Sequence, residues 1–176
     1  FYCSNNSTEV DRYVIFNYLE NIWFYGSLSR TAWLDASIEN YPRAVSNGYV
    51  YQHELGFNDD GSPMTNVFIE SSDFDLGEGG DFSFLQKIIP DFKFLQNDNS
   101  GNVNIVVKTR NFPGDSLSVN STSEIAENTK EAFVRSRARQ IVLRFESDDD
   151  ATADGNLSIG WRLGATRIDI KPDGRR

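Results

Sequence analysis

An all-β fold is what this sequence predicts, and three observations predict it. Short β-branched and aromatic runs recur between clusters of Gly, Asn, Asp and Ser. Helix signals are poor throughout. A strand, a short polar turn and a second strand carrying Trp occur at Asp11–Trp23 and more loosely at Arg144–Trp161. Roughly eleven strands at this spacing suit a sandwich, a barrel or a propeller. A propeller blade takes about 40–50 residues, so 176 residues hold about four blades by length. At four strands per blade the strand count gives fewer than three. If the fold is β-propeller-type, with antiparallel blades, the chain is part of a larger ring.

Arg12–Tyr18 (RYVIFNY) reads as a strand, Leu19-Glu20-Asn21 as its turn, and Ile22–Tyr25 as the return. Thr31–Asp35 and Tyr49–Glu54 follow, then the loop GFNDDGSP and Asn66–Glu70. Phe82–Ile89 and Phe92–Leu95 flank Pro90-Asp91, and the loop NDNSGN leads into Val103–Thr109. Ser123–Phe133 (SEIAENTKEAF) is the one stretch with helix-forming residues. It puts Ala126 where a capping box needs Glu or Gln, so a short helix there competes with strand and loop. Phe133–Glu146 is long enough for one extended strand. The polar segment Ser147–Asn156 reads as a hairpin connection, and Leu157–Leu163 and Thr166–Ile170 complete the set.

Composition narrows the function. The chain is 39% hydrophobic and 13% aromatic, enough for a real core, and carries a net charge of −9. Nucleic-acid-binding surfaces are normally basic. The charge is uneven: residues 130–176 carry ten Lys/Arg and eight Asp/Glu, and residues 1–129 carry seven and eighteen. No apolar run approaches the length of a membrane span. Phe1 stands where a Met would start a chain, which suits a processed or partial sequence. Cys3 is the only cysteine, so no internal disulfide forms. Four Asn-x-Ser/Thr triplets, at Asn5, Asn6, Asn120 and Asn156, match the glycosylation acceptor pattern, as chance allows in an Asn/Ser-rich chain.

Catalytic and metal constellations are weak. His53 is the only histidine, and its neighbour Glu54 points to the opposite face of a strand. No nucleophile elbow is present, and one Cys with one His excludes a Cys/His zinc site. Asp150–Gly155 fits the start of a calcium loop only with Thr152 at its third position, and Trp161 stands where a bidentate Glu is needed. Asp59-Asp60-Gly61 and Asp98–Gly101 are similar clusters, and Asp, Asn and Gly are also what turns require. Asp73, Asp75, Glu78 and Asp81 lie in a Gly-rich stretch that reads as a turn, and a glycosidase pair needs two of them opposed at a set separation. The expectation is no catalytic residue, no metal and no cofactor.

One pattern stands out. Arg135, Arg137 and Arg139 occupy every second position of VRSRARQIVLRFES, and the same parity continues as Ile141, Leu143 and Phe145. On one strand face three such charges repel unless they meet acids, an interface or solvent at an edge. Arginine pairs with carboxylates in bidentate fashion better than lysine does. The expectation places the arginines at a rim or subunit boundary and the apolar half in the core. Trp161 shares its parity with Ile159 and Leu163 and is expected in the core, as are Trp23, which ends the first repeat-like segment, and Trp33. A competing reading has Trp23, Trp33 and Tyr51 exposed and stacking on sugar rings.

The stretches WFYGSLSRTAWLDAS (Trp23–Ser37), GYVYQHELGFNDDG (Gly48–Gly61), IIPDF, VRSRARQIVLRFES and GWRLGATRIDIKPDGRR (Gly160–Arg176) resemble C-terminal parts of propeller-like tail hub, nozzle or DNA-stabilisation proteins of short-tailed double-stranded-DNA bacteriophages. Ala138 stands where many relatives have Gly. The resemblance spans most of the chain and implies that residues 1–176 are a single all-β domain or the C-terminal portion of such a protein. It implies a structural virion component: copies of the chain in a ring, commonly six-fold, below portal and adaptor, meeting other tail proteins. Genomic DNA would pass through the channel without tight binding, which an acidic lining favours.

Overall fold

The computed structural model describes residues 1–60, 62–77, 79–95, 102–148 and 160–175. The chain forms two compact units, Phe1–Gly56 and Phe57–Arg176. Every strand pairing described is antiparallel, and no helix occurs among the described residues. The fold is all-β. The sheets have two, three or four strands, and none closes into a ring among the described residues.

The first unit holds a hairpin and a three-stranded meander. Strands β1 (Arg12–Asn17) and β2 (Ile22–Ser27) pair through the turn anticipated at Leu19-Glu20-Asn21. Strands β3 (Ala32–Leu34), β4 (Arg43–Ser46) and β5 (Tyr49–Gln52) form the meander. Asn47 and Gly48, with φ of 49° and 81°, make the two-residue β4–β5 turn, since a type I′ turn needs left-handed backbone at both central positions. The buried face of β4 is small: Ala44 and Ser46. Pro42 and Ala44 are the only aliphatic or aromatic residues of this unit that are buried among the described residues.

The second unit holds the core. The short hairpin β6 (Asn58–Asp59) and β7 (Ser62–Pro63) comes first, turning at Asp60 with φ 51°. Strand β8 (Phe68–Glu70) follows, then β9 (Ser83–Ile89), β10 (Phe92–Phe94), β11 (Val103–Arg110), β12 (Ser118–Ile125), β13 (Ala132–Ala138), β14 (Gln140–Ser147), β15 (Trp161–Leu163) and β16 (Arg167–Pro172). Two sheets, β12-β11-β14-β8 and β13-β9-β16, contribute to one core. From the first come Val103, Ile105, Val107, Ile125, Ile141, Leu143 and Phe145; from the second come Leu85, Ile88, Ala132, Val134 and Ala138. The β10–β15 pair lays Phe92, Phe94, Trp161 and Leu163 against it.

Two of the expected elements change, and a third lies partly outside the described residues. The segment Ser123–Phe133 is not a helix. It is the end of β12, a turn in which Thr129 N–H donates to the Ala126 carbonyl (3.0 Å), and the start of β13. The expected single strand Phe133–Glu146 is two strands in different sheets. In β13 the even positions Ala132, Val134, Ser136 and Ala138 are buried; in β14 the odd positions Ile141, Leu143 and Phe145 join the core cluster, while Val142 is buried outside that cluster. The inward parity reverses at Arg139-Gln140, where the chain passes from one sheet to the other. Arginines and apolar residues therefore share parity but not a face. Thirdly, Leu157–Ile159 of the expected strand Leu157–Leu163 lie outside the described residues, as do most of Ser147–Asn156 and the clusters Asp98–Gly101 and Asp150–Gly155.

The three-stranded sheet carries a graded irregularity. Between the rungs at Lys87 and Leu85, β16 has no extra residue, β9 has Gln86, and β13 has Val134 and Arg135. Arg135 takes the left-handed backbone conformation, φ 49°, which is uncommon for a residue with a side chain. Bulges of this kind bend a strand and increase its twist.

Candidate functional site

The arginine strand meets the end of the chain at Phe82. Backbone bonds tie Phe82 to the turn after β16: Phe82 N–H donates to the Gly174 carbonyl and Asp173 N–H to the Phe82 carbonyl, both at 2.7 Å. Arg137 reaches across to Asp173, with Nε donating to the carboxylate and Nη2 to the backbone carbonyl at 3.0 Å. Its guanidinium lies 4.1 Å from the Phe82 ring centroid. Arg139 lies 5.0 Å from Phe82 and 5.0 Å from Phe112. Cations over ring faces are attracted by the ring quadrupole. The buried Arg139 Nε has no hydrogen-bond partner among the described residues, and there the guanidinium is held by stacking on the two rings. Arg135 is exposed and makes no ion pair among the described residues.

The expected row of acids is thus only partly what the ladder meets. Asp173 answers Arg137, while Phe82 and Phe112 take the place of acids at Arg139. None of these partners stood out in the sequence, because each lies far along the chain from the arginines. Two of the stretches that carry the resemblance, VRSRARQ and KPDGR, come together here.

Two ion-pair groups flank this edge. Arg110 pairs with Asp73 and donates through Nε to Gln140 Oε1 at 2.7 Å. On the outer face of the four-stranded sheet, Lys108 pairs with Glu70 at 2.6 Å, and Arg144 bridges Glu70 and Glu146 while lying 3.6 Å from the Phe68 ring centroid. The Lys108 hydrogen bond holds the Glu70 carboxyl below its ordinary pKa, against the opposing effect of burial. Burial pulls Arg144 down, but Glu146 and Glu70 outweigh it and raise its pKa. Of the four acids weighed for glycoside hydrolysis, Asp73 is engaged by Arg110 and Asp81 by Arg175 (2.9 Å); Glu78 lies outside the described residues. No group of three His, Cys, Asp or Glu side chains suited to a metal occurs among the described residues, and no helix there is long and apolar enough to cross a membrane.

The second feature is an uncovered aromatic surface on the first unit. Trp23 is 66% exposed and Trp33 39%, which corrects their expected place in the core. The physical reason is that β1 and β2 form a sheet with no third strand among the described residues, and the buried face of β4 is made of the small Ala44 and Ser46. On one hairpin face Val14 stands opposite Tyr25 and Phe16 opposite Trp23, with the last two rings stacked at 4.5 Å. On the other, Ile15 faces Phe24, and the Tyr13 ring lies over Gly26, where an added Cβ would come within 2.4 Å of it. Continuous apolar runs, YVIF and IWFY, were the sequence signal for a strand apolar on both faces.

Trp33 belongs to a smaller group. Its ring lies 4.8 Å from His53, and its Nε1 donates to Asp35 at 2.7 Å. Arg30 Nε donates to His53 Nε2 at 3.1 Å while the guanidinium sits 4.4 Å from the half-buried Tyr51 ring. Trp161 is partly buried against the core. It meets Phe92 edge-on at 5.5 Å, and its Nε1 donates to Ser147 Oγ at 2.8 Å. Cys3 is exposed.

No family model and no curated protein matches this sequence.

Proposed function

We propose that this chain is a non-enzymatic structural component of a bacteriophage tail, of the hub or nozzle type, and forms part of the channel through which DNA is ejected. The observation that carries the assembly reading is the first unit's want of a core: most of its large apolar side chains are exposed, and only the small Pro42 and Ala44 are buried among its described aliphatic and aromatic residues. A unit of 56 residues gains little stability from such burial, and large exposed apolar patches mark interaction sites. Tail membership rests on the resemblance, two of whose stretches, VRSRARQ and KPDGR, join at Phe82. In the propeller-like form that the resemblance implies, the antiparallel sheet β12-β11-β14-β8 has the strand number of one blade. The net charge of −9 suits a channel that DNA crosses without sticking.

Antibodies raised against the chain test this on native phage particles. Label at the tail, seen by electron microscopy, is the expected result; particles that carry no label refute it.

A second reading is a carbohydrate- or receptor-binding module, and the exposure of Trp23 and Trp33 favours it. Trp33, Tyr51 and Arg30 offer ring faces and a donor for a sugar. Calorimetric titration with host surface glycans decides between them, since binding lost on Trp33→Ala would support the module.

A further inference from the structure

We infer that the β1–β2 hairpin is a self-association element, covered in solution by a second copy of this chain. The inference deepens the assembly reading and rests on it. Phe16, Tyr18, Trp23, Phe24 and Tyr25 are 42 to 79% exposed. At about 200 Å² per ring they present on the order of 600 Å². Val14, Ile15, Leu19 and Ile22, each 45 to 81% exposed, bring the hairpin to the roughly 800 Å² per partner of a standard stable interface. An isolated two-stranded hairpin is marginal in water, so this one gains order from its cover.

Charge selects the occupant. Residues 12–27 carry only Arg12 and Glu20, a net of zero on a chain of −9. Glu20 is further held by Asn17 Nδ2 at 3.1 Å. A neutral apolar patch adds no like-charge pair to the contact with its own copy, and it offers an anionic lipid surface no basic cluster.

The test is sedimentation velocity of the 176-residue chain over a concentration series, beside the double variant Trp23→Ser/Tyr25→Ser. The parent is expected to self-associate, and the variant to associate at least about tenfold more weakly with an unchanged far-UV spectrum. In parallel, a photo-crosslinking benzoylphenylalanine at Leu19, at the exposed turn, is expected to yield a species of twice the chain mass. A parent that stays monomeric, a crosslink confined within one chain, or a variant that associates like the parent overturns the inference. Co-sedimentation of the parent with phosphatidylcholine–phosphatidylserine vesicles, lost in the variant, would also overturn it in favour of a membrane surface. Labelled tails together with a monomeric chain would sink the hairpin while leaving the tail reading intact.

Discussion

Trp161→Ala removes three separable contributions, and the structure sizes each. The indole N–H bond to Ser147 contributes about 0.5–1.5 kcal/mol. The edge-on contact with Phe92 adds about 0.5–1.5 kcal/mol. Apolar contact with the core beyond that pair adds about 1–2 kcal/mol for a partly buried side chain. The sum centres at about 3.5 kcal/mol, in the lower part of the range of about 3–5 for a fully buried Trp. Trp161→Phe keeps a ring against Phe92 and loses the donor, so its cost is about 1 kcal/mol. Native-state hydrogen exchange at Ile105 and Val107, central in β11, reads the free energy of opening this core. The reasoning fails if Trp161→Ala changes protection by less than about 0.5 kcal/mol, or if the two variants are indistinguishable.

Changing Arg135, Arg137 and Arg139 together to Glu is expected to preserve β content while blocking assembly, with the Lys triple variant intermediate because stacking and forked donors are lost but charge is kept; light scattering and circular dichroism check both, and normal assembly of the Glu variant returns the arginines to a solvated edge. Within that set, Arg135→Glu costs least in stability, since Arg135 makes no ion pair among the described residues, and thermal melts of the three single variants rank them. Gly164→Ala forces a Cβ to within 2.3 Å of Asp91 Oδ2, displacing the carboxylate that accepts Ala165 N–H at 2.9 Å, and is expected to lower stability by about 1–3 kcal/mol in urea titration. Glu70 has a folded pKa below its ordinary value near 4.5, so its contribution is fully present above that value and is lost as pH falls through the lower, folded one; a Glu70→Gln variant should show a flatter acid limb in stability measured from pH 7 downward.

Sequence reasoning located most strands of the second unit because their cores alternate cleanly: Val103–Thr109 was expected where β11 runs Val103–Arg110. It missed β4, although Asn47-Gly48 between Ala-Val-Ser and Tyr-Val-Tyr is the strongest short hairpin signal there is. Small buried residues hid the strand. It missed β12 for the opposite reason: Ser118–Ile125 is polar and exposed along much of its length, and its side of the ladder is legible only from β11. The break at Arg139 was hidden because a reversal of inward parity leaves alternation unbroken on paper. The arginine edge was legible as an edge. Its partners were not, since stacking by Phe82 and Phe112 depends on how the sheets converge.

The pairing of β9 with β16 has a kinetic meaning. The contact from Arg175 to Asp81 closes 94 positions of chain, and the Leu143 amide finds Ser71 across 72. Each such closure must be completed before its reward arrives, and topologies dominated by distant partners fold slowly. During synthesis β9 emerges from the ribosome long before β16, with one flank open to any strand nearby. A nascent chain in this state is a substrate for holding chaperones, and its yield on expression should fall with temperature sooner than the stability of the finished molecule does.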